Sequence, residues 1–219
     1  MYKFCKRAFD IVCSLLGMLV TFPLWLIAAI GIYVSDPGPV FYMANRVGKD
    51  NATFKMYKFR SMRQGKANEA VFRGDEDRIF PFGNFIRATK IDELPQLLNI
   101  FLGHMSLVGP RPAAVDQLGI VRAGKYAAVS NIQAGLTGPS ALYDYIYGDH
   151  IEDADEYEQK VLPTRLELDV YYAEDMNAVL DLKMIWYTVV CIVCTVLKKV
   201  PKKVFAELVG YVDSKERVM

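Results

Sequence analysis

The residues from Ile11 to Val34 carry no charged side chain and are almost wholly apolar. About 20 such residues are enough to cross a bilayer, so the run predicts a membrane helix. Pro23 stands in its middle. Proline removes a helix hydrogen bond and crowds the preceding turn, so it can bend the helix sharply. A bend there leaves two legs of about 18 Å, too short for a hydrocarbon core of about 30 Å. The polar positions on either side agree with that reading. Lys3, Lys6 and Arg7 precede the run, and Arg46, Lys49, Lys55, Lys58, Arg60, Arg63 and Lys66 follow it, against Asp36 and Asp50. Cationic flanks prefer the cytoplasmic side. Both flanks ask for one side, which a single crossing does not provide and a re-entrant helix-break-helix at Phe22-Pro23 does. A single-pass helix kinked at Pro23 is the competing reading, because membrane helices tolerate proline. A cleaved signal peptide fits less well: the run is too long and no clear A-x-A site follows.

Beyond the run, Asp36-Pro37-Gly38-Pro39 has strong turn chemistry. Val40–Met43 and Thr53–Phe59 are rich in aromatic and β-branched residues and flank a turn at Gly48–Asn51, which predicts a strand pair. Gln64 to Asp77 is polar and reads as a mobile loop. The remainder is expected to be mostly helical. Pro95 and Pro112 each suit the first turn of a helix. Asn131 to Gly148, glycine-rich with one proline, predicts mainly loop. Glu152–Asp175 reads as helical, with a restart at Pro163. Ile185–Leu197 is too short to span a bilayer. The cluster Lys198, Lys199, Lys202 and Lys203 follows it, so it reads either as an interface helix touching anionic lipid or as a buried core helix. The predicted class is α+β and mostly helical: a monotopic membrane protein with a re-entrant helix over residues 1–36. A cytoplasmic catalytic domain over residues 37–219 would hold a small β element and interface-lying helices.

Charge changes this picture only locally. The 219 residues hold 26 Lys and Arg against 25 Asp and Glu, a net charge of +1. The whole molecule is therefore not a polyanion binder, and no nucleic-acid partner is expected. The segment Arg46–Lys66 is basic, while Asp144 to Glu158 is acidic and reads as a solvated face. Cys191 and Cys194 form a C-x-x-C inside an apolar run, where zinc or redox chemistry lacks a suitable setting. They read as small apolar residues in a reducing compartment, while Cys5 and Cys13 lie at the membrane end.

The chain has no G-x-G-x-x-G, Walker A, H-E-x-x-H or G-x-S-x-G motif. Two histidines, His104 and His150, give little support to a histidine relay. The candidate chemistry rests on carboxylates and cations. Asp92-Glu93 stands before Leu94-Pro95-Gln96-Leu97, near a predicted helix start. Capping is one account of such acids. The other uses the same place for phosphate, Mg²⁺ or nucleophilic attack. Arg111 sits between Pro110 and Pro112, a stiff turn that suits bidentate phosphate recognition or simply a surface arginine. Lys58 and Arg60 would share a strand face, able to meet a diphosphate or lipid head groups. Arg87 lies just before the acid pair. Acids beside fixed cations, near a membrane, suggest phosphoryl transfer onto a lipid.

At these residues the sequence resembles the bacterial sugar transferases, the monotopic phosphoglycosyl transferases that start lipid-linked glycan assembly. The matching stretches are Lys6-Arg7-Ala8-Phe9-Asp10, Asp36 to Phe41, Asn45-Arg46-Val47-Gly48, Lys58 to Met62, Asp92 to Leu97, Met105 to Pro112, Gly135 to Gly138 and Asp181-Leu182-Lys183. They follow the family's order over nearly the whole chain, whose length resembles the minimal family form. The resemblance implies transfer of a sugar 1-phosphate from a UDP-sugar to polyprenyl phosphate, usually undecaprenyl phosphate, with release of UMP and a need for Mg²⁺. It implies Asp92 as nucleophile and metal contact, Glu93 as proton handler or metal contact, and Arg111 as phosphate binder. Lys58, Arg60 and Arg87 take supporting phosphate roles. It also implies the cytoplasmic face of a bacterial inner membrane, with lipid of that leaflet as a partner, and allows a homodimer. Phe22-Pro23 replaces the family's frequent Ser-Pro, and Thr21 is expected to satisfy the backbone freed by the proline. Ala134 stands where proline is common, His104 where an acid is frequent, and Ser61 where threonine is common. The rival class is a membrane-tethered adaptor for anionic lipid or polyanions, which needs the basic segment but no acid pair.

Overall fold

The computed structural model describes residues 2–63, 78–151 and 153–216. The loop expected over Gln64–Asp77 lies outside them. Helix α1 runs over Tyr2–Ser35 with Pro23 inside it, so the proline does not end the helix. Pro23 lacks the N–H that would reach the Leu19 carbonyl. The Thr21 hydroxyl does not take that place. It donates to the Gly17 carbonyl at 2.7 Å, a contact of the kind that bends helices.

Both ends of α1 are tied to the rest of the chain. At its start Tyr2 and Lys6 donate to Asp181 at 2.7 and 2.8 Å. Arg7 donates to the carbonyls of Ile100 and Phe101, and Asp10 accepts the Leu107 N–H. At its far end Asp36 pairs with Arg60. Between them Ala28 and Ile32 pack with Phe59, Phe80 and Ile86. Burial of each such large side chain contributes about 1.5–3 kcal/mol. The opposite face leaves Leu19, Val20, Phe22, Ile27 and Ile30 exposed. Water would not tolerate that stripe on a soluble domain, and lipid would.

The expected strand pair is present as β1 (Phe41–Val47) and β2 (Thr53–Phe59), antiparallel with Phe41 opposite Phe59. Helices α2 (Pro81–Ala88) and α3 (Gln96–Leu102) follow, joined through a 3-10 turn at Ile91–Glu93. Strand β3 (Ser106–Val108) pairs in parallel with β5 (Gly135–Thr137), and β4 (Ala113–Ala114) adds to β1. Pro112 therefore starts no helix. It leads into β4, which the ladder with Arg46 and Val47 holds extended.

Asn131–Gly148 is not mainly loop either: it holds β5 and α5 (Pro139–Ile146). Its glycines serve close packing. A Cβ on Gly109, Gly135 or Gly138 would strike backbone atoms of the neighbouring segment, so the turn at Gly109 and the strand at Gly135 fit only without side chains. Helix α4 (Leu118–Val121) lies between β4 and β5. The helical restart at Pro163 is found as α6 (Ala154–Lys160) and α7 (Leu162–Asp175).

Helix α8 (Ala178–Val196) is longer than the apolar run alone suggested, because Asn177 caps it by accepting the Leu180 N–H. It is neither wholly buried nor wholly exposed. Leu180, Met184 and Cys191 are buried, while Val179, Leu182, Trp186 and Val193 are exposed. Helix α9 (Lys202–Glu216) closes the second core, where Val204 and Leu208 join Leu166, Leu168, Tyr172 and Met184.

Candidate active site

A cavity of about 720 Å³ opens between the sheet, the 3-10 turn and helices α5, α7 and α8. Each wall delivers a charged group for a local reason. Strand β2 carries Lys58 across to the turn, where its ammonium lies 2.8 Å from Glu93 Oε1. Strand β1 carries Arg46, which faces Ala114 of β4 across the ladder and so lies near the Gly109–Pro112 turn with Arg111. Helix α5 supplies Asp144 and α7 supplies Arg165. Leu24 of α1 and Ile185, Val189 and Ile192 of α8 give the cavity an apolar side.

The acid pair sits in a strained turn. Lys90, the residue before it, holds φ 56° in the left-handed region without being glycine. Lys90 is also 4.3 Å from the centre of the Tyr145 ring. Asp92 is 5 % exposed, and its Oδ1 is buried with no hydrogen-bond partner among the described residues. Neither acid caps the 3-10 turn or α3 through its side chain. The capping account of these residues therefore has no contact behind it.

The two carboxyls are pushed apart. Burial, then the charge of Glu93, raises Asp92 to about 6, against the pull of Lys58, Lys90 and Arg87. Burial alone would raise Glu93 as well, but Lys58 and Lys90 outweigh it and hold Glu93 below the usual glutamate range. Adjacent acids share the penalty of like charge, so one of them takes most of it.

On the far wall Arg111 Nη1 lies 3.1 Å from Asp144 Oδ2. Tyr157 donates to Asp144 Oδ1 at 2.7 Å, and Arg165 donates to the Tyr157 hydroxyl at 2.7 Å. Burial would raise Asp144, but Arg111 and then Arg165 keep it below its ordinary value. The Arg111 backbone N–H is held by Asp169 Oδ1, which also accepts the Ser140 hydroxyl. Burial pushes Asp169 up to about 6.

Lys58, Arg87, Glu93 and Arg111 line the cavity. Asp92 lies between the lining residues Ile91 and Glu93 without being a lining residue itself. Arg60 is elsewhere. Strand β2 ends at Phe59, so the two-residue alternation does not extend to Arg60. Its guanidinium is 5 % exposed and bound to Asp36 and to the carbonyls of Asp36 and Pro39. It ties the end of α1 and takes no part in the cavity wall. The expected solvated acidic face is also divided: Asp153, Asp155 and Glu156 are exposed, but Asp144 is buried beside Arg111.

Four charged lining residues were not among the expected site residues: Arg46, Lys90, Asp144 and Arg165. Arg46 stood inside the matching stretch Asn45-Arg46-Val47-Gly48, and Lys90 two residues before Asp92. Asp144 and Arg165 gave no local signal, because packing of α5 on α7 brings them together.

A family described as bacterial sugar transferase matches residues 1–195. The chain is 36% identical over 193 residues to the UDP-N-acetylgalactosamine-undecaprenyl-phosphate N-acetylgalactosaminephosphotransferase of Aeromonas hydrophila, covering 86% of this chain and 43% of that protein. It is 36% identical over 197 residues to the exopolysaccharide production protein PSS of Rhizobium leguminosarum bv. phaseoli, covering 84% of this chain and 93% of that one. It is 33% identical over 192 residues to the UDP-glucose:undecaprenyl-phosphate glucose-1-phosphate transferase of Escherichia coli (strain K12), covering 85% and 40%. The chain thus spans less than half of the first and third of these relatives and nearly all of the second.

Proposed function

The chain belongs to the bacterial sugar transferase family, and on that premise we propose that it moves a sugar 1-phosphate from a UDP-sugar to undecaprenyl phosphate, releasing UMP. The observation that carries this reading is Asp92: an ionisable carboxyl whose buried Oδ1 has no partner among the described residues, set among the cations Lys58, Lys90 and Arg87. Such an atom costs free energy unless something meets it.

The reaction runs in two displacements. An Asp92 carboxylate oxygen attacks the sugar-bearing phosphorus. The bond from that phosphorus to the bridging oxygen breaks, and its electron pair leaves on UMP. The polyprenyl phosphate oxygen then attacks the same phosphorus, and Asp92 departs as carboxylate. No net proton transfer is needed if the lipid phosphate enters as a dianion. Glu93, held ionised by Lys58, is a weak base; its role is to keep Lys58 in place beside the reacting phosphate. Reaching Asp92 requires a shift of the 3-10 turn, and the strained Lys90 backbone is where such a shift begins.

The residues also fit Mg²⁺. This ion takes one or two carboxylates and fills its remaining positions with water and substrate phosphate. Asp92 Oδ1 is an acceptor of that kind, without a partner among the described residues. When bound, Mg²⁺ supplies neutralisation of diphosphate charge.

The membrane placement is part of the proposal. Both ends of α1 are held by the same domain, which supports a helix that enters and leaves by one face, the cytoplasmic one. The exposed sides of α1 and α8 then meet lipid, and the apolar side of the cavity faces the lipid-borne substrate. One experiment tests the chemistry. The protein mixed with a UDP-sugar and Mg²⁺, without lipid, should gain one sugar phosphate on Asp92 and release up to one UMP per chain. Intact-protein mass spectrometry after an acid quench reads the adduct. No adduct, with intersecting-line kinetics when both substrates vary, would support direct attack by the lipid phosphate instead.

A further inference from the structure

The cavity carries more cationic groups than one phosphate needs, and they fall into two sets. Lys58, Lys90 and Arg87 surround the acid pair. Arg46, Arg111 and Arg165 line the other side, with Gln117 and Tyr157 beside them. Within the second set, the Arg46 guanidinium makes no hydrogen bond or ion pair with a described residue. It is half-buried. Arg165 is 7 % exposed, and its Nε is buried without a partner among the described residues. Asp144 answers this set through Arg111 and, by way of Tyr157, Arg165. Asp169 lies near Arg111 and Arg165 and Asp116 near Arg46, yet guanidinium donors of Arg46 and Arg165 stay unmatched in a concave, partly dry site. Burial and then the neighbouring Arg111 act against the charge on Arg46 and outweigh the opposite pull of Tyr42 and Asp116. An anion reverses that balance, and planar guanidinium groups suit a phosphate in particular.

We propose that Arg46, Arg111 and Arg165 form a second anion subsite, which holds the nucleoside-bearing phosphate of the UDP-sugar and retains it as UMP leaves. This rests on the transferase reading above. The chemistry of the step explains why the cations belong here. In the diphosphate the nucleoside-bearing phosphate carries one negative charge. When the bridging bond breaks, it takes the electron pair and carries two. Asp92 loses its charge to the new ester-like bond at the same time, so the total is unchanged and the charge moves across the cavity. Cations placed where charge accumulates stabilise the transition state more than the ground state. The set around Asp92 faces the phosphate that stays.

Equilibrium binding of UMP, UDP and inorganic phosphate to the full chain in nanodiscs tests the subsite without turnover. Arg46→Gln should weaken UMP and UDP binding about tenfold or more, and Arg46→Lys should recover part of it. The KM for UDP-sugar should rise with it, while the KM for polyprenyl phosphate stays within about twofold. Arg165→Lys, which keeps the charge and loses the fork, should weaken UMP as well, and thermal melting checks that each variant is folded. UMP affinity unchanged in Arg46→Gln, or a defect confined to the lipid phosphate, would overturn the subsite. UMP binding that depends on Arg46, in a protein that releases no UMP from any UDP-sugar with polyprenyl phosphate, would support the subsite and remove the transferase reading. A wild-type chain that turns over with Arg46-independent UMP binding does the reverse.

Discussion

The Lys58 ammonium and Glu93 Oε1 meet at 2.8 Å, and this pair sets the state of the residue beside it. Glu93 keeps its charge because Lys58 is there. Asp92, adjacent and buried, then bears the cost of a second negative charge. A carboxyl poised in this way is ionised at neutral pH yet strongly disposed to lose its charge, which is what bond formation at phosphorus offers it.

Lys58→Met removes the cation and leaves Glu93 charged and partly buried. The expected loss in kcat/KM is about 2–4 kcal/mol, the range for truncating one member of a buried charge pair. The acid limb of the pH–rate profile should move to higher pH, since the shared carboxyls lose their strongest stabilising neighbour. A profile that falls in height without moving would mean that Lys58 acts on substrate alone.

The wild-type profile should itself lose activity as pH falls through about 6, the value to which burial and Glu93 raise Asp92. In the proposed mechanism the active form is the carboxylate, so activity should be present above that pH and lost below it. An acid limb near 4 would show that Asp92 is not the group being read.

Asp92→Asn separates catalysis from stability. Turnover should drop to background. Stability should move the other way. The folded-state pKa of Asp92 lies above its ordinary value, so the folded protein binds the proton more tightly and is penalised once pH exceeds both values. Removing the charge should therefore raise stability at pH 7 by about 1–3 kcal/mol. Thermal melting at pH 7 measures it. A lower melting temperature, as loss of a helix cap would give, would return Asp92 to a structural role.

Arg111→Ala should cost about 2–5 kcal/mol in kcat/KM, because it leaves phosphate charge unpaired and removes the ion pair with Asp144. Asp144→Asn tests the second half of that statement. It should weaken substrate use less than Arg111→Ala, and the double variant should cost less than the two losses added, as contacting residues do. Strict additivity would mean that Asp144 does not position Arg111.

The legible parts of this protein were the local ones. The apolar run, the β1–β2 pair and the restart at Pro163 all announce themselves within a few residues. Asp92, Glu93 and Arg111 stand out by their spacing to proline, and their roles rest on the proposed function. Arg60 was misplaced because the strand stops one residue earlier than the alternation implied, and Asp36 was there to claim it. Pro112 and Gly135 were misread for a related reason. A proline before a strand resembles one before a helix, and a glycine chosen for close contact resembles one chosen for a loop. Asp144 looked solvated because its neighbours in sequence are. Its neighbours in space, Arg111 and Tyr157, are visible only once α5 packs on α7.

The last prediction concerns how α1 meets the membrane. Its start is bound to Asp181 by Tyr2 and Lys6, and its end to Arg60 by Asp36. On the proposed placement, Asp181 and Arg60 lie on one side of the membrane, and these ties bring both ends of α1 to that side. A full crossing would have to break one set of ties. For a largely buried pair such as Lys6–Asp181 that costs about 3–5 kcal/mol, before the lost packing of Ile32 is counted. Cys5 is exposed near one end, and Ser35→Cys marks the other. In a background lacking the remaining cysteines, both should label with an impermeant thiol reagent only after the cytoplasmic side is opened. Pro23→Leu should favour crossing by restoring the missing hydrogen bond. Alone it must still overcome the ties at both ends, so its effect should be partial. Combined with Asp181→Asn, which weakens the hold on Tyr2 and Lys6, it should move Cys5 to the outside in a larger share of molecules. Labelling of Cys5 from outside in the otherwise native chain, with Ser35→Cys labelled from inside, would end the re-entrant reading and make α1 a crossing helix.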